Sequence, residues 1–368
     1  MSDRRPPVID VDLHLAERPE DLAPYTDLPW RRAVAEPTPN PPWSLSGSLH
    51  PWRGAARETT EPARTPQEMI AHMDAAGITA GIVLPGPLLK LGALPTAAYA
   101  AALARAWNRW LDAEWLGRDE RIYGAIIAAP QDPEDAAREI ARAAGHPWVA
   151  GVLLPMGGVD PLWGDRGYDA IYAAATDAHL PVILHAGGDL LLPGSPNRGT
   201  QFASVFEQQA MSHPLAAMAN LVSMTSTGVF ARFPTLRVLF LEAGISWFTH
   251  IVLRMDKEYS ENRRDIPYYT DRVSASLHRQ VWLGTHPLEA AARPADISDL
   301  LRLSGGSAHI VFGSHWPLVD HDAIDRVTAA FPDAETRANV MGGNAAALFG
   351  ITPTGIARTG AIASRHEV

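Results

Sequence analysis

The chain has no cysteine, which excludes disulfide staples and thiolate metal sites. Any metal must be held by histidine, carboxylates or neutral oxygens. Positive charge is scarce too: 31 Lys and Arg stand against 41 Asp and Glu, a net charge of −10 with the 14 histidines neutral. A surface of that sign argues against nucleic acid or an anionic membrane as partner. No run is long and apolar enough to span a bilayer. The stretch "MSDRRPPVIDVDLH" carries charge but no apolar signal-peptide core, so a cytoplasmic protein is expected. No Gly-x-Gly-x-x-Gly follows an apolar run, which weakens a dinucleotide-binding reading. What remains is a 368-residue chain, 46% hydrophobic and 20% charged. It is read as one domain over 1–368 with a large core.

Eight short runs rich in Val, Ile and Leu stand out, at 8–14, 79–86, 121–130, 148–156, 180–188, 236–244, 280–287 and 308–317. Gly or Pro bounds them, the pattern of strands buried on both faces of a parallel sheet. Helical patterns lie between them, at 65–77, 97–117, 132–145, 168–179, 246–264, 321–331 and 333–350. The first opens with Thr65 as N-cap, Pro66 at the first helical position and Glu68 two residues on, and stops at Gly77. Strand and helix alternate about eight times, which matches a (β/α)8 barrel better than a doubly wound sheet. The fold class is therefore α/β.

Residues 24–64 break this rhythm. They are Pro-rich, lack periodicity and carry Trp30, Trp43 and Trp52. The segment follows the first strand and is read as a lid-like insertion over the catalytic end of the barrel. The alternative is an extension clamped on the outer helices. As a lid it offers Trp30, Trp43 and His50 to a planar or apolar substrate.

In such a barrel, chemistry sits at the C-terminal ends of the strands. Five of the runs end in ionisable residues: Asp12 and His14 on the first, His185 on the fifth, Glu242 on the sixth, His286 on the seventh and His315 on the eighth. Side chains two apart on a strand share a face, so Asp12 and His14 point together as two ligands of one metal would. Asp10, one pleat deeper, reads as structural. Gly187 and Gly188 after His185 allow close approach of backbone to a ligand. His213, beyond the fifth run, and Trp316, beside His315, are further substrate-binding candidates. Arg254 either pairs with Asp256 on a helix surface or reaches in to clamp a substrate carboxylate. His72, His146, His179, His250, His278 and His309 read as surface or packing residues.

These residues, in this order, resemble a known family. Asp10-x-Asp12-x-His14, then "HAGG", "LEAGISW", "GSHWP" and "GGNAAALFG" look like the amidohydrolase superfamily, over about residues 8–350. The closest branch includes aminocarboxymuconate-semialdehyde decarboxylase and the resorcylate-type decarboxylases. "PEDLAPYTDLPWRRA" and "RAWNRWLDAEWLGRDERIYGAIIAAPQDP" resemble a bacterial subgroup of it. The resemblance implies a distorted (β/α)8 barrel, one divalent metal such as Zn²⁺ or Mn²⁺, and a homodimer. It assigns Asp12, His14 and His185 to the metal and sets Glu242 at the sixth-strand position. The family's eighth-strand residue is an aspartate that binds the metal and handles the proton. Here that position is His315, the histidine that closes the family motif is replaced by Leu318, and His286 stands where an amide is common.

Three roles follow for His315. It is a fourth metal ligand, or a general acid–base titrating near neutrality, or part of a cationic pocket that has lost its metal. The leading expectation is a metal-dependent lyase that decarboxylates an aromatic or unsaturated acid, with His315 as proton donor and a small molecule as partner. One alternative is a metal-dependent hydrolase of a lactone or amide, with Glu242 or His286 as base. Another is a metal-free isomerase, cyclase or dehydratase of specialised metabolism.

Overall fold

The computed structural model describes residues 6–35, 60–187, 204–289, 294–303 and 305–352. Each of the eight apolar runs holds one strand. They are β1 (Ile9–Leu15), β2 (Ala80–Pro85), β3 (Ile122–Ile127), β4 (Val149–Pro155), β5 (Val182–His185), β6 (Val238–Leu241), β7 (Val281–Gly284) and β8 (Ile310–Val311). All pair in parallel, in sequence order. The two edges meet: Val11 N donates to Phe312 O at 3.0 Å, His315 N to Asp12 O at 3.0 Å and His14 N to Trp316 O at 2.7 Å. The result is a (β/α)8 barrel. Every strand residue is buried, because helices cover the outer face and side chains fill the inner one. That is why the strands read as continuous apolar runs rather than alternating ones.

The helix signals hold where caps announce them. Thr65 Oγ1 accepts from Glu68 N at the start of Pro66–Ala76, and Gly77 ends that helix with φ 74°. The left-handed region costs a glycine nothing. Asp132 caps Pro133–Ala143 in the same way. The pattern missed the helices Val205–Ser226, Val273–Gln280 and Pro294–Leu303. The first carries Pro214 in its interior, a residue that reads as a break. The stretch 333–350 is not one helix: a π turn over Asn339–Gly343 separates Ala334–Ala338 from Asn344–Phe349.

The start of the 24–64 insertion packs on an outer helix. Asp27 accepts from Arg105 Nε at 3.1 Å and Arg109 Nη1 at 2.6 Å. Tyr25 donates its hydroxyl hydrogen to Glu114, and Trp30 packs tilted against Tyr99, 5.2 Å between ring centroids. All four partners belong to the helix Ala97–Glu114, so residues 24–35 are a clamp on an outer helix. The far end lies at the barrel rim, where Thr60 N donates to Pro317 O at 2.7 Å. Trp43, His50 and Trp52 lie outside the described residues.

Candidate active site

Simple alternation placed Asp12 and His14 on one face of β1. The strand is less regular. Its register against β2 slips between Asp10 and Leu13, a bulge of the kind that re-aims side chains at a barrel rim. Asp10 holds the bulge from beneath: its Oδ1 accepts from Asp12 N and from Ser314 N, both at 3.0 Å. Burial pushes its carboxyl up to about 6. Asp10 thus ties β1 to the segment that carries His315.

On this base Asp12 Oδ1 lies 3.1 Å from His14 Nε2 and 3.0 Å from His185 Nε2. His185 is the last residue of β5. Its Nδ1–H donates to Ala186 O at 2.5 Å, and that of His14 to Pro85 O at 2.8 Å. Each imidazole therefore keeps its Nε2 lone pair for the space beside Asp12. The three donors lie within 4.8 Å of one another, all buried. Asp12 Oδ2 and His14 Nε2 are buried without a hydrogen-bond partner, an arrangement that costs free energy unless a cation takes the lone pairs. One carboxylate and two imidazoles suit Zn²⁺ or Mn²⁺ and leave coordination positions for substrate. Burial alone would raise the Asp12 carboxyl, but His185 and His14 outweigh it and hold Asp12 well below the usual range.

The other expected residues form a second group. His315 is fully buried, with φ 67°, and Glu242 has φ 58°. Neither is glycine, so both backbones are held in a costly conformation, as at many functional sites. Glu242 directly follows β6, and His315 lies in the turn beyond β8. His315 Nε2 is 3.3 Å from Glu242 Oε1, and its Nδ1 is 3.5 Å from Asp320 Oδ1. Burial pushes its imidazole down to about 4, against the pull of Glu242. That shift disfavours a free histidinium at His315. His286 stacks on His315, 4.4 Å between centroids and 28° between planes. Burial opposes charge on His286 as well, but its hydrogen bond to Asp322 prevails and raises it. His315 falls into a close set with His286 and Asp320, and its ring also stands beside the triad, 5.1 Å from that of His14 between centroids.

His213, on the helix Val205–Ser226, reaches the same place: its Nδ1 donates to Glu242 O at 3.1 Å and lies 3.6 Å from Glu242 Oε1. Other substrate candidates do not converge. Arg254 is 63% exposed and pairs with Glu258 at 2.8 Å, so neither the expected clamp nor a pair with Asp256 forms. Asp256 instead accepts from Ser274. Trp316 is committed to a stack on His72, 3.8 Å between centroids. The close approach at Gly187 is to protein, since a Cβ there would stand 2.5 Å from Leu89 Cβ.

Sequence reasoning missed three carboxylates. Glu17 is buried and accepts from Gly86 N and Leu88 N at 3.0 and 2.9 Å. Asp322, fully buried, accepts from His286 Nδ1 at 3.0 Å. Asp320 faces His315. The last two follow the Trp316-Pro317 turn, beyond where a search confined to strand ends stops.

Comparison with known proteins agrees with this architecture. A family model described as amidohydrolase matches residues 9–351. The gamma-resorcylate decarboxylase of Rhodococcus jostii (strain RHA1) is 26% identical over 283 residues, covering 70% of this chain and 79% of that protein. The 5-carboxyvanillate decarboxylase of Sphingomonas paucimobilis superposes with a TM-score of 0.71 at 20% identity, over 95% of this chain and 100% of that one. A dihydroxybenzoic acid decarboxylase of Polaromonas sp. JS666, solved with manganese and the inhibitor 2-nitroresorcinol, gives a TM-score of 0.67 at 18% identity, over 94% and 97% of the two chains.

Proposed function

The chain belongs to the amidohydrolase family, and from that premise we propose that it is a metal-dependent carboxy-lyase acting on an aromatic or unsaturated carboxylic acid. The observation that carries this reading is the buried Asp12–His14–His185 triad, whose Asp12 Oδ2 and His14 Nε2 lack hydrogen-bond partners. The kinship with decarboxylases of hydroxylated benzoic acids, one of them holding manganese, supports it. A divalent cation held by Asp12, His14 and His185 would supply positive charge for the substrate carboxylate. The residues of the chain do the rest. Asp12 offsets the cation's charge, and the backbone acceptors of His14 and His185 keep both rings oriented.

The C–CO₂ bond breaks, its electron pair stays on carbon, and a proton must reach that carbon. Burial pushes the His315 imidazole down to about 4, which disfavours a histidinium acting alone. We assign the proton to the Glu242–His315 pair, whose Oε1 and Nε2 are 3.3 Å apart. Groups this close titrate together, so the apparent values belong to the pair. His213 closes the pair from the side of the helix Val205–Ser226. The substrate is a small molecule, and the homodimer implied by the resemblance is checked by light scattering.

The test is a panel of hydroxylated benzoic acids incubated with the full chain, with CO₂ and product mass as readouts. The expected product has lost CO₂ and gained no water. A product that has gained water favours the hydrolase reading. Undiminished turnover after exhaustive chelation, verified by elemental analysis, overturns the metal requirement.

A further inference from the structure

Two turns at the barrel mouth are tied together by one carboxylate, and we propose that this carboxylate, Glu289, is the positioning residue for Glu242. Glu242 takes φ 58°, a left-handed backbone that a residue other than glycine keeps only where its surroundings over-determine it. The turn of residues 242–244 leads from β6 into the helix Ser246–Asn262, and Gly244 is left-handed as well, with φ 72°. The helix has no cap of its own. Its N-cap is Ile245, whose side chain holds no acceptor for the free N–H groups of the first turn.

Glu289 supplies that acceptor from the segment after β7. Its Oε1 accepts from Ile245 N at 3.0 Å, Ser246 N at 2.9 Å and Ser246 Oγ at 2.8 Å, and its Oε2 lies 3.1 Å from Ile245 N. A carboxylate is favoured there by the positive end of the helix. Gly244 approaches it so closely that an added Cβ would stand 2.5 Å from Glu289 Oε1. The same segment holds the turn through its backbone, since Gly244 N donates to His286 O at 3.2 Å. From the other side His213 Nδ1 donates to Glu242 O at 3.1 Å. The turn is thus pinned at 242, 244, 245 and 246, and Glu242 Oε1 rests 3.3 Å from His315 Nε2.

Glu289 therefore acts through the turn and not on the substrate. Its effect on turnover rests on the reading of Glu242 as half of the proton-handling pair. Its effect on the turn does not.

The test joins a rate to a readout that needs no substrate. Glu289→Ala should lower kcat roughly 10- to 100-fold, the cost of a small misplacement at the reacting atoms. KM for the best acid of the benzoic acid panel and the metal content should stay as in the wild type. Glu289→Gln keeps an acceptor oxygen and should recover part of the lost rate. Asp333→Ala removes a different helix cap, the bond from Thr336 N at 2.7 Å, and should leave kcat alone. In metal-stripped chain carrying isotope-labelled histidine, Glu289→Ala should shift the ring signals of His213 and His315, and Asp333→Ala should not. Unmoved signals in Glu289→Ala overturn the proposal. So does a Glu289→Ala chain with wild-type kcat when Glu242→Gln has lost turnover. If Glu242→Gln keeps full turnover, the reading of Glu242 fails alone, and the histidine signals still decide whether Glu289 holds the turn.

Discussion

Glu17 sits beside the triad as an almost fully buried carboxyl, pushed up to about 8 by that burial against the pull of two backbone N–H donors. Its folded value lies above the unfolded 4.5, so the folded protein keeps a proton that the unfolded chain sheds. Stability therefore falls as pH rises from about 4.5 toward about 8, by up to roughly 1 kcal/mol per unit. Glu17→Gln should flatten that dependence in denaturant titrations of metal-stripped protein between these limits. At Glu242 the expected effect is chemical. Glu242→Gln should lower turnover by roughly 10²–10⁴, the usual range for a lost acid–base group, while metal content stays unchanged. A variant that loses metal as well would make Glu242 a ligand instead. Nothing in the sequence singles out Glu17, because its burial depends on the loop over Gly86–Leu88 folding back onto it. Glu242 was legible because it directly ends an apolar run.

Among the elements, β1 and the segment after β8 depend on one another. Gly313 faces Asp12 so closely that an added Cβ would stand 2.9 Å from Asp12 Cβ. Gly313→Ala should move Asp12, weaken cation binding in calorimetry and cost about 1–3 kcal/mol, as overpacking does. Intact affinity would show that Asp12 is not positioned by this contact. The clamp of residues 24–35 predicts the opposite profile. Asp27→Ala breaks half-exposed pairs with Arg105 and Arg109, worth at most about 1 kcal/mol, and should leave KM untouched. A raised KM would restore the lid reading to this segment. Strand positions were legible here because both faces are buried. The bulge in β1 was not, since it arises from the pairing of Asp10 with backbone N–H groups on two elements.

For the whole molecule, a barrel whose edges close through β1 and β8 couples metal binding to global stability, because the triad's ligands come from β1 and β5. Chelation should lower the melting temperature, and readdition of Mn²⁺ or Zn²⁺ should restore it. A free concentration 1,000 times Kd is worth about 4 kcal/mol. A melting temperature insensitive to metal would separate the triad from any cation. The sequence by itself determined the eight strands, their parallel order and the residues that gather at the mouth. Those follow from local hydrophobic pattern and from the rule that barrel strands end at one face. Only the tertiary structure decided how that set divides. Asp12, His14 and His185 form one close set, and His315 reaches Glu242, His286 and Asp320 while its ring stays 5.1 Å from that of His14. The division depends on positive backbone angles at Glu242 and His315 and on hydrogen bonds from distant residues such as Asp322. Such angles and long-range contacts leave no periodic trace in a sequence.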